Sequence, residues 1–300
     1  MARTTVANTI ERIRRQLGSS FRSEVNTLAT TVTSSTTSIV LTYALPNGLI
    51  AGSIVCIGVE SMRVMAVSTS TLTLTVLRGY GDTDGAAHTA GDEVLINPRF
   101  EPGEIFDAMI EELNSWGPEL YRVVSDTVAI SGESDALELP VAFLDAWGII
   151  DARVVWTDSE SIAWPRLNVR VVRGDPAEFT GVSTSGILLR FIDAVGVGSA
   201  YVTAKMPFVV TGLTSASDLV TDVGLEESML DVLGYGVKLR LILDSETNRT
   251  SRSAQDAPRN AEDVPVAGYI PHAQFTARLY QTRMQQEINK LRARYPVAIR

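Results

Sequence analysis

Apolar residues recur every three or four positions in four stretches of this chain, a spacing that predicts amphipathic helices. The stretches are residues 5–17, 101–116, 225–243 and 271–295. Gly117-Pro118 and Pro296 follow two of them and would end those helices. Gly234 and Gly236 lie inside the third stretch, where glycine costs stability, so we expect another backbone to pack closely there.

Two regions between these helices alternate apolar and polar residues, as half-buried antiparallel strands do. In the first, strands are predicted at about 37–43, 54–59, 62–67 and 71–77, with Ile39, Leu41 and Tyr43 on one face and a hairpin bend at Glu60-Ser61. In the second, strands are predicted at about 121–125, 128–130, 152–157, 167–173, 186–191 and 201–210. Residues 245–269 are polar and predict a long exposed loop.

The predicted fold class is α+β, a discontinuous helical bundle with two antiparallel β-rich insertions. Residues 1–26, 99–119 and 216–300 would form the bundle and a C-terminal tail. Residues 27–98 would form a small barrel and residues 120–215 a sandwich.

The charges of the predicted helices are complementary. Residues 1–22 contain five arginines and one acid, residues 278–300 contain six basic residues and one acid, and residues 101–119 contain six acids and no basic residue. Oppositely charged flanks beside apolar stripes are typical of neighbouring helices, although four separately solvated helix faces would give the same composition. This pattern selects as candidate bundle or ring contacts Arg12, Arg15, Glu111, Glu112, Arg283 and Arg292.

The net charge of −9 argues against a protein that grips nucleic acid, because cationic contacts to phosphate dominate DNA affinity. An acidic surface instead suits a channel through which DNA slides without specific binding. No apolar run reaches the length of a membrane span, and no apolar core follows the N-terminus as in a signal peptide. The single cysteine, Cys56, lies in an apolar run and is expected on a buried strand, which fits assembly in a reducing cytosol.

Few residues point to catalysis, and we expect neither an enzyme nor a bound cofactor. The sequence contains no nucleophile elbow, phosphate loop, dinucleotide fingerprint or zinc-protease motif. Asp82, Asp84 and Asp92 offer oxygen ligands near His88, but their spacing departs from a calcium loop and matches ordinary turns. His272 is expected on a helix surface. Three tryptophans in the second β-rich region would stack on sugars or fill the core, the latter being the simpler interpretation: Trp147, Trp156 and Trp164.

One segment resembles a motif that recurs in virion proteins of tailed bacteriophages. A strand ends in Arg78-Gly79, a loop carries Ala86-Ala87-His88, and Gly91-Asp92 leads into the next strand. Residues 230–241 and 275–295 are also similar to the third and last helices of head-to-tail adaptor proteins. The likeness covers the helices and the first β-rich region, while residues 120–215 fall outside it.

The resemblance implies a structural virion protein that forms a dodecameric ring in the neck, between the portal and a downstream neck or tail protein. Such a ring surrounds the DNA channel and is assembled in the host cytoplasm. In the family the C-terminal tail commonly reaches into the portal, which carries the docking role onto Tyr295, Pro296, Val297, Ala298, Ile299 and Arg300. The alternatives are another tail or baseplate ring component and a carbohydrate- or receptor-binding virion protein.

Overall fold

Four α-helices and several antiparallel sheets make up the computed structural model, which describes residues 4–17, 24–130, 136–155, 165–173, 187–192, 198–256 and 270–296. The helices are α1 (Val6–Leu17), α2 (Pro102–Ser115), α3 (Leu230–Asp256) and α4 (Ile270–Arg294). The α+β class is therefore confirmed. None of the described helices combines the length and the apolarity that a bilayer crossing requires.

The prediction for the end of α3 was wrong. Residues 245–256 continue the helix instead of opening a loop, and residues 257–269 lie outside the described residues. The helix also begins at Leu230, after a short 3₁₀ turn at Glu227–Met229, and not at Leu225. Apolar spacing marks only the part of a helix that packs against a neighbour, so a polar continuation gives no such signal.

The first β-rich region forms one six-stranded antiparallel sheet. Its strands are β1 (Glu24–Thr27), β2 (Ser38–Val40), β3 (Ile54–Ile57), β4 (Glu60–Ser68), β5 (Thr73–Leu77) and β6 (Glu93–Ile96). They lie in the order β1-β6-β3-β4-β5-β2, and a bridge between Leu28 and Leu41 links the two outer strands. The sheet therefore curls around an apolar core that includes Ile39, Val55 and Leu74.

Two details of this sheet differ from the predicted pattern. The β3–β4 hairpin turns at Gly58-Val59, where Gly58 takes the left-handed conformation (φ 62°), and Glu60 and Ser61 are buried residues of β4. The sequence pattern placed the bend two residues too late. Tyr43 follows β2 but is 62% exposed, whereas Ile39 and Leu41 are buried as expected.

The strands of the second β-rich region are β7 (Arg122–Ile130), β8 (Ala136–Glu138), β9 (Gly148–Val155), β10 (Val169–Arg173), β11 (Ile187–Phe191) and β12 (Gly198–Met206). They form two three-stranded antiparallel sheets, β10-β11-β8 and β7-β12-β9. The two strands predicted at 121–130 are one continuous strand, and β8 was missed. Both sheets contribute to one core, for example Leu137 and Leu189 from the first and Ala152 and Val202 from the second.

By contacts the chain divides into two compact units. The first unit comprises Met1–Leu113 and Val210–Gln281, and the second comprises Asn114–Val209 and Thr282–Arg300. The finer division into a bundle and two inserted modules stays a prediction.

Candidate functional site

The structure places Arg12 and Arg15 on different sides of α1. Arg12 donates through Nη2 to the carbonyl oxygen of Leu230 at 3.1 Å, so it ties α1 to the start of α3. Arg15 is 76% exposed in its side chain and pairs with Glu11 of the same helix at 2.5 Å. Arg12 is therefore a contact within the chain, and Arg15 belongs to an exposed helix surface.

Glu111 and Glu112 also separate into an outer and an inner residue. The Glu111 side chain is 69% exposed and lies 3.5 Å from the Arg240 guanidinium, whereas the Glu112 side chain is only 4% exposed. Glu112 accepts from Arg240 Nε at 2.6 Å and from the Tyr280 hydroxyl at 2.5 Å. A single carboxylate of α2 thus joins residues of α3 and α4 that lie 128 and 168 positions away along the chain.

Gly236 explains how Glu112 fits between these helices. A Cβ atom at Gly236 would collide with the Glu112 carboxylate, while at Gly234 the nearest atom within 4 Å is the end of Arg12, at 4.0 Å. The expected close approach at the two glycines is real only at Gly236, and the neighbour is a buried side chain and not a backbone. The glycine at position 236 was visible in the sequence as a small residue within a helix. Its neighbour, Glu112, belongs to a helix far away along the chain and could not be identified from the local sequence.

Arg283 and Arg292 belong to the second unit. Arg283 donates to Gln286 at 2.8 Å and lies 3.6 Å from Glu287, a carboxylate whose side chain is 1% exposed. The Arg292 charge acts on Lys205, whose pKa is lowered first by burial and then by this neighbouring cation.

The proposed docking tail is described only at its beginning. Tyr295 directly follows α4, donating its backbone N–H to the Leu291 carbonyl at 2.8 Å, and its ring lies 5.3 Å from the Arg294 guanidinium. Pro296 is the last described residue. Val297, Ala298, Ile299 and Arg300 lie outside the described residues, so their docking role stays a prediction.

The motif of residues 78–92 contributes to a buried ion network around Glu60. The Glu60 carboxylate accepts from Arg78 Nε at 2.6 Å and Nη2 at 2.7 Å, from His88 Nε2 at 2.8 Å and from the Ala86 backbone at 3.0 Å. Burial works to raise the pKa of Glu60, but the hydrogen bonds from Arg78, His88 and Ala86 and the Arg78 charge outweigh it and hold the pKa at about 2. The network keeps a charged glutamate inside the sheet.

Arg78 also fixes the loop that carries the rest of the motif. Its guanidinium donates to the carbonyl oxygens of Thr33 at 2.7 Å, Thr36 at 2.8 Å and Ala86 at 2.5 Å. Gly79, which follows it, takes a left-handed backbone conformation (φ 63°) that a side chain would strain. The motif therefore serves to stabilise the fold, because its polar groups bond to one another. In the Arg-Gly pair, the arginine side chain points into the protein and the glycine lies at the turn that follows.

Of the residues considered for a metal site, the described side chains of His88 and Asp92 bond to different partners. His88 is buried against Glu60, and Asp92 accepts from the backbone and the hydroxyl of Thr89 at 2.8 and 2.9 Å. Among the residues that the structure describes, no three His, Cys, Asp or Glu side chains are grouped to hold a metal ion. The side chains of Asp82 and His272 are outside that description.

Cys56 is buried on β3, as predicted. Burial raises the pKa of its thiol to about 12, with a further rise from the Glu101 charge. A thiol with so high a pKa is protonated at neutral pH and is a poor nucleophile.

Trp147 alone of the three tryptophans is described, and it is 39% exposed. Its ring lies so close to Gly117 that a Cβ atom there would clash with it. Trp156 and Trp164 fall outside the described residues, and whether they stack on sugars stays open.

Two concave polar surfaces were not anticipated. One, in the first unit, has a volume of about 380 Å³ and is lined by the carboxylates of Glu101, Glu104, Asp107, Glu111 and Asp244. The other, in the second unit, has a volume of about 530 Å³ and is lined by three arginines and one aspartate: Arg153, Arg166, Arg294 and Asp151. The acids of α2 gave a signal in the sequence, but the arginines are spread over 142 positions and only the fold brings them together.

No protein-family model matches the chain, and no curated protein matches it significantly.

Proposed function

We propose that this protein is a head-to-tail adaptor of a tailed bacteriophage, a structural ring subunit that joins the portal to the tail and surrounds the DNA channel. The observation that carries the proposal is the junction at Glu112, through which helices from three distant parts of the chain make contact. An adaptor needs such a frame, because its helices must form one scaffold although β-rich segments separate them in the sequence.

The Arg12 contact supports the same frame. Through the Leu230 carbonyl it adds α1 to the group of α2, α3 and α4, so that residues from both chain termini and the middle contribute. A discontinuous helical bundle with a small barrel and a sandwich inserted in its connections is the architecture that we propose on this basis.

The motif network supports a virion role by a separate route. Glu60 bonds to Arg78 and His88, so two of the residues that carry the resemblance serve to stabilise a β module. A ring subunit needs rigid modules and extended contact surfaces, and no reacting group is required for that task.

The proposal is tested on the full chain by native mass spectrometry and negative-stain imaging. We expect a closed ring of about twelve copies, the number that the resemblance implies, and labelling of the protein at the neck of intact particles. A subunit that stays monomeric at every concentration and is absent from phage particles would overturn the proposal. Localisation at the tail tip, or binding on a glycan array, would favour a baseplate or receptor-binding role instead.

The docking tail has its own test. Deleting residues 296–300 is expected to abolish binding to the portal from the same phage, with unchanged circular dichroism and ring mass. The matched control is Tyr43→Ser, which alters an exposed apolar residue of the sheet. Portal binding that survives the deletion would remove the tail from the proposal.

A further inference from the structure

The arginine-lined pocket of the second unit has the chemistry of a carboxylate receptor. Asp151 accepts from Arg153 Nε at 2.6 Å and lies 3.4 Å from Arg166 Nε, and a strand bridge holds the two arginines side by side. Arg294 lines the same pocket, so three arginines and one aspartate contribute to its lining. Guanidinium groups bind carboxylates in a planar, two-pronged geometry, which suits a second carboxylate from outside.

The pocket is accessible, and its lining includes hydroxyl groups as well as arginines. The Arg166 side chain is 57% exposed, and the hydroxyls of Ser125 and Thr203 lie 3.0 Å apart on neighbouring strands along its wall. An incoming carboxylate would thus meet both guanidinium cations and hydroxyl groups.

The chain itself presents a matching set of carboxylates on α2. Glu104, Asp107 and Glu111 are exposed and spaced by three and four residues, so they share one helix face. Glu101 and Asp244 line the same concavity, and its Glu111 carboxylate also lies 3.5 Å from the Arg240 guanidinium. Partial desolvation within the concavity, and then the neighbouring charges of Glu101 and Asp244, raise the pKa of Glu104, so a partner's cation would reduce this repulsion.

We propose that the arginine pocket of one copy binds the α2 carboxylates of the next copy. Because the two surfaces differ, the contact is head-to-tail, and a repeated head-to-tail contact closes into a ring when its rotation permits. This inference rests on the proposed ring and names the surfaces that build it.

Charge reversal at Arg166 tests the contact on the full chain. We expect Arg166→Glu to weaken self-association at least about tenfold, measured by sedimentation over a concentration series. The matched control is Arg170→Glu, an exposed arginine on β10 that does not line the pocket. Adding Glu111→Arg to Arg166→Glu restores opposite charges between copies and is expected to recover assembly.

The outcomes separate this inference from the proposed function. Rings that form normally with Arg166→Glu would overturn the contact and leave the adaptor proposal standing, whereas a wild-type monomer would overturn the adaptor proposal itself. Failure of Glu111→Arg to recover assembly would exclude the pairing of these two surfaces. Binding of oligogalacturonate by the wild type, lost in Arg166→Glu, would assign the pocket to an acidic sugar and likewise overturn the contact.

Discussion

Glu60 and Glu112 are both buried glutamates that accept from an arginine, but they are held in different ways. The partners of Glu60 lie within 28 residues along the chain and include backbone groups, and its side chain is fully buried. The partners of Glu112 are side chains of distant helices, and one of them, Arg240, remains 33% exposed. The first network stabilises one module, whereas the second connects elements far apart in the sequence.

This difference predicts how much stability is lost when either charged network is broken. A charge that is buried and fully hydrogen-bonded is costly to leave without its partner, because water cannot replace the lost contacts. A partly exposed pair can recruit water, so its loss costs less. We therefore expect the sheet network to be the more sensitive of the two, and exposed pairs to matter least for folding.

The largest effect is expected for Arg78→Ala, which leaves the Glu60 carboxylate charged and buried. The free energy of unfolding should fall by about 3–5 kcal/mol, measured by urea denaturation. The control Arg63→Ala removes an exposed arginine of the same sheet that lies over the Tyr80 ring, and should cost under about 1 kcal/mol. An equal loss of unfolding free energy in both variants would show that the Glu60 network contributes no more to stability than an exposed arginine does.

The pH dependence of stability should also reflect the lowered pKa of Glu60. Its pKa falls from 4.5 in the unfolded chain to about 2 in the fold, so its contribution is complete above about pH 4.5 and is lost as the pH drops through about 2. The shift corresponds to roughly 3 kcal/mol. Urea titrations between pH 5 and 2 should show this slope in the wild type and a shallower one in Glu60→Gln; parallel slopes would contradict the assignment.

The Glu112 junction should respond to glycine substitutions in opposite directions. Gly236→Ala drives a methyl group into the buried carboxylate and should destabilise the protein by about 1–3 kcal/mol. Gly234→Ala meets only the flexible end of Arg12, so its better helix propensity should stabilise by up to about 1 kcal/mol. Thermal unfolding of the two variants measures both, and a stabilised Gly236→Ala would mean that the helices do not meet as described.

The smallest effect on folding is expected at Arg15, whose pair with Glu11 is exposed. Arg15→Ala should change the free energy of unfolding by under about 0.5 kcal/mol. If Arg15→Ala then impairs ring formation, the cause is a lost contact between copies and not a loss of folding. Sedimentation at low and high salt would detect such a defect. A large stability loss would instead place Arg15 in a contact within the fold.

Several features were predictable from the sequence because they depend on near neighbours. The apolar spacing predicted the four helices, and Gly117-Pro118 indicated where α2 ends. The alternation around Ile39 and Leu41 predicted inward-facing residues. The hairpin bend was wrong because Glu60 looked like a turn residue, and only its partners Arg78 and His88 make it tolerable on a buried strand.

By itself the sequence determined the α+β class, the presence of four helices and the buried cysteine, since these follow from residue spacing and local conformational preference. The tertiary structure alone decided which member of each charged pair points inward. It buried Glu112 and exposed Glu111, and it gathered Arg153, Arg166 and Arg294 around one pocket. The physical reason is that burial and charge pairing depend on which distant segments pack together, and local spacing along the chain does not encode that choice.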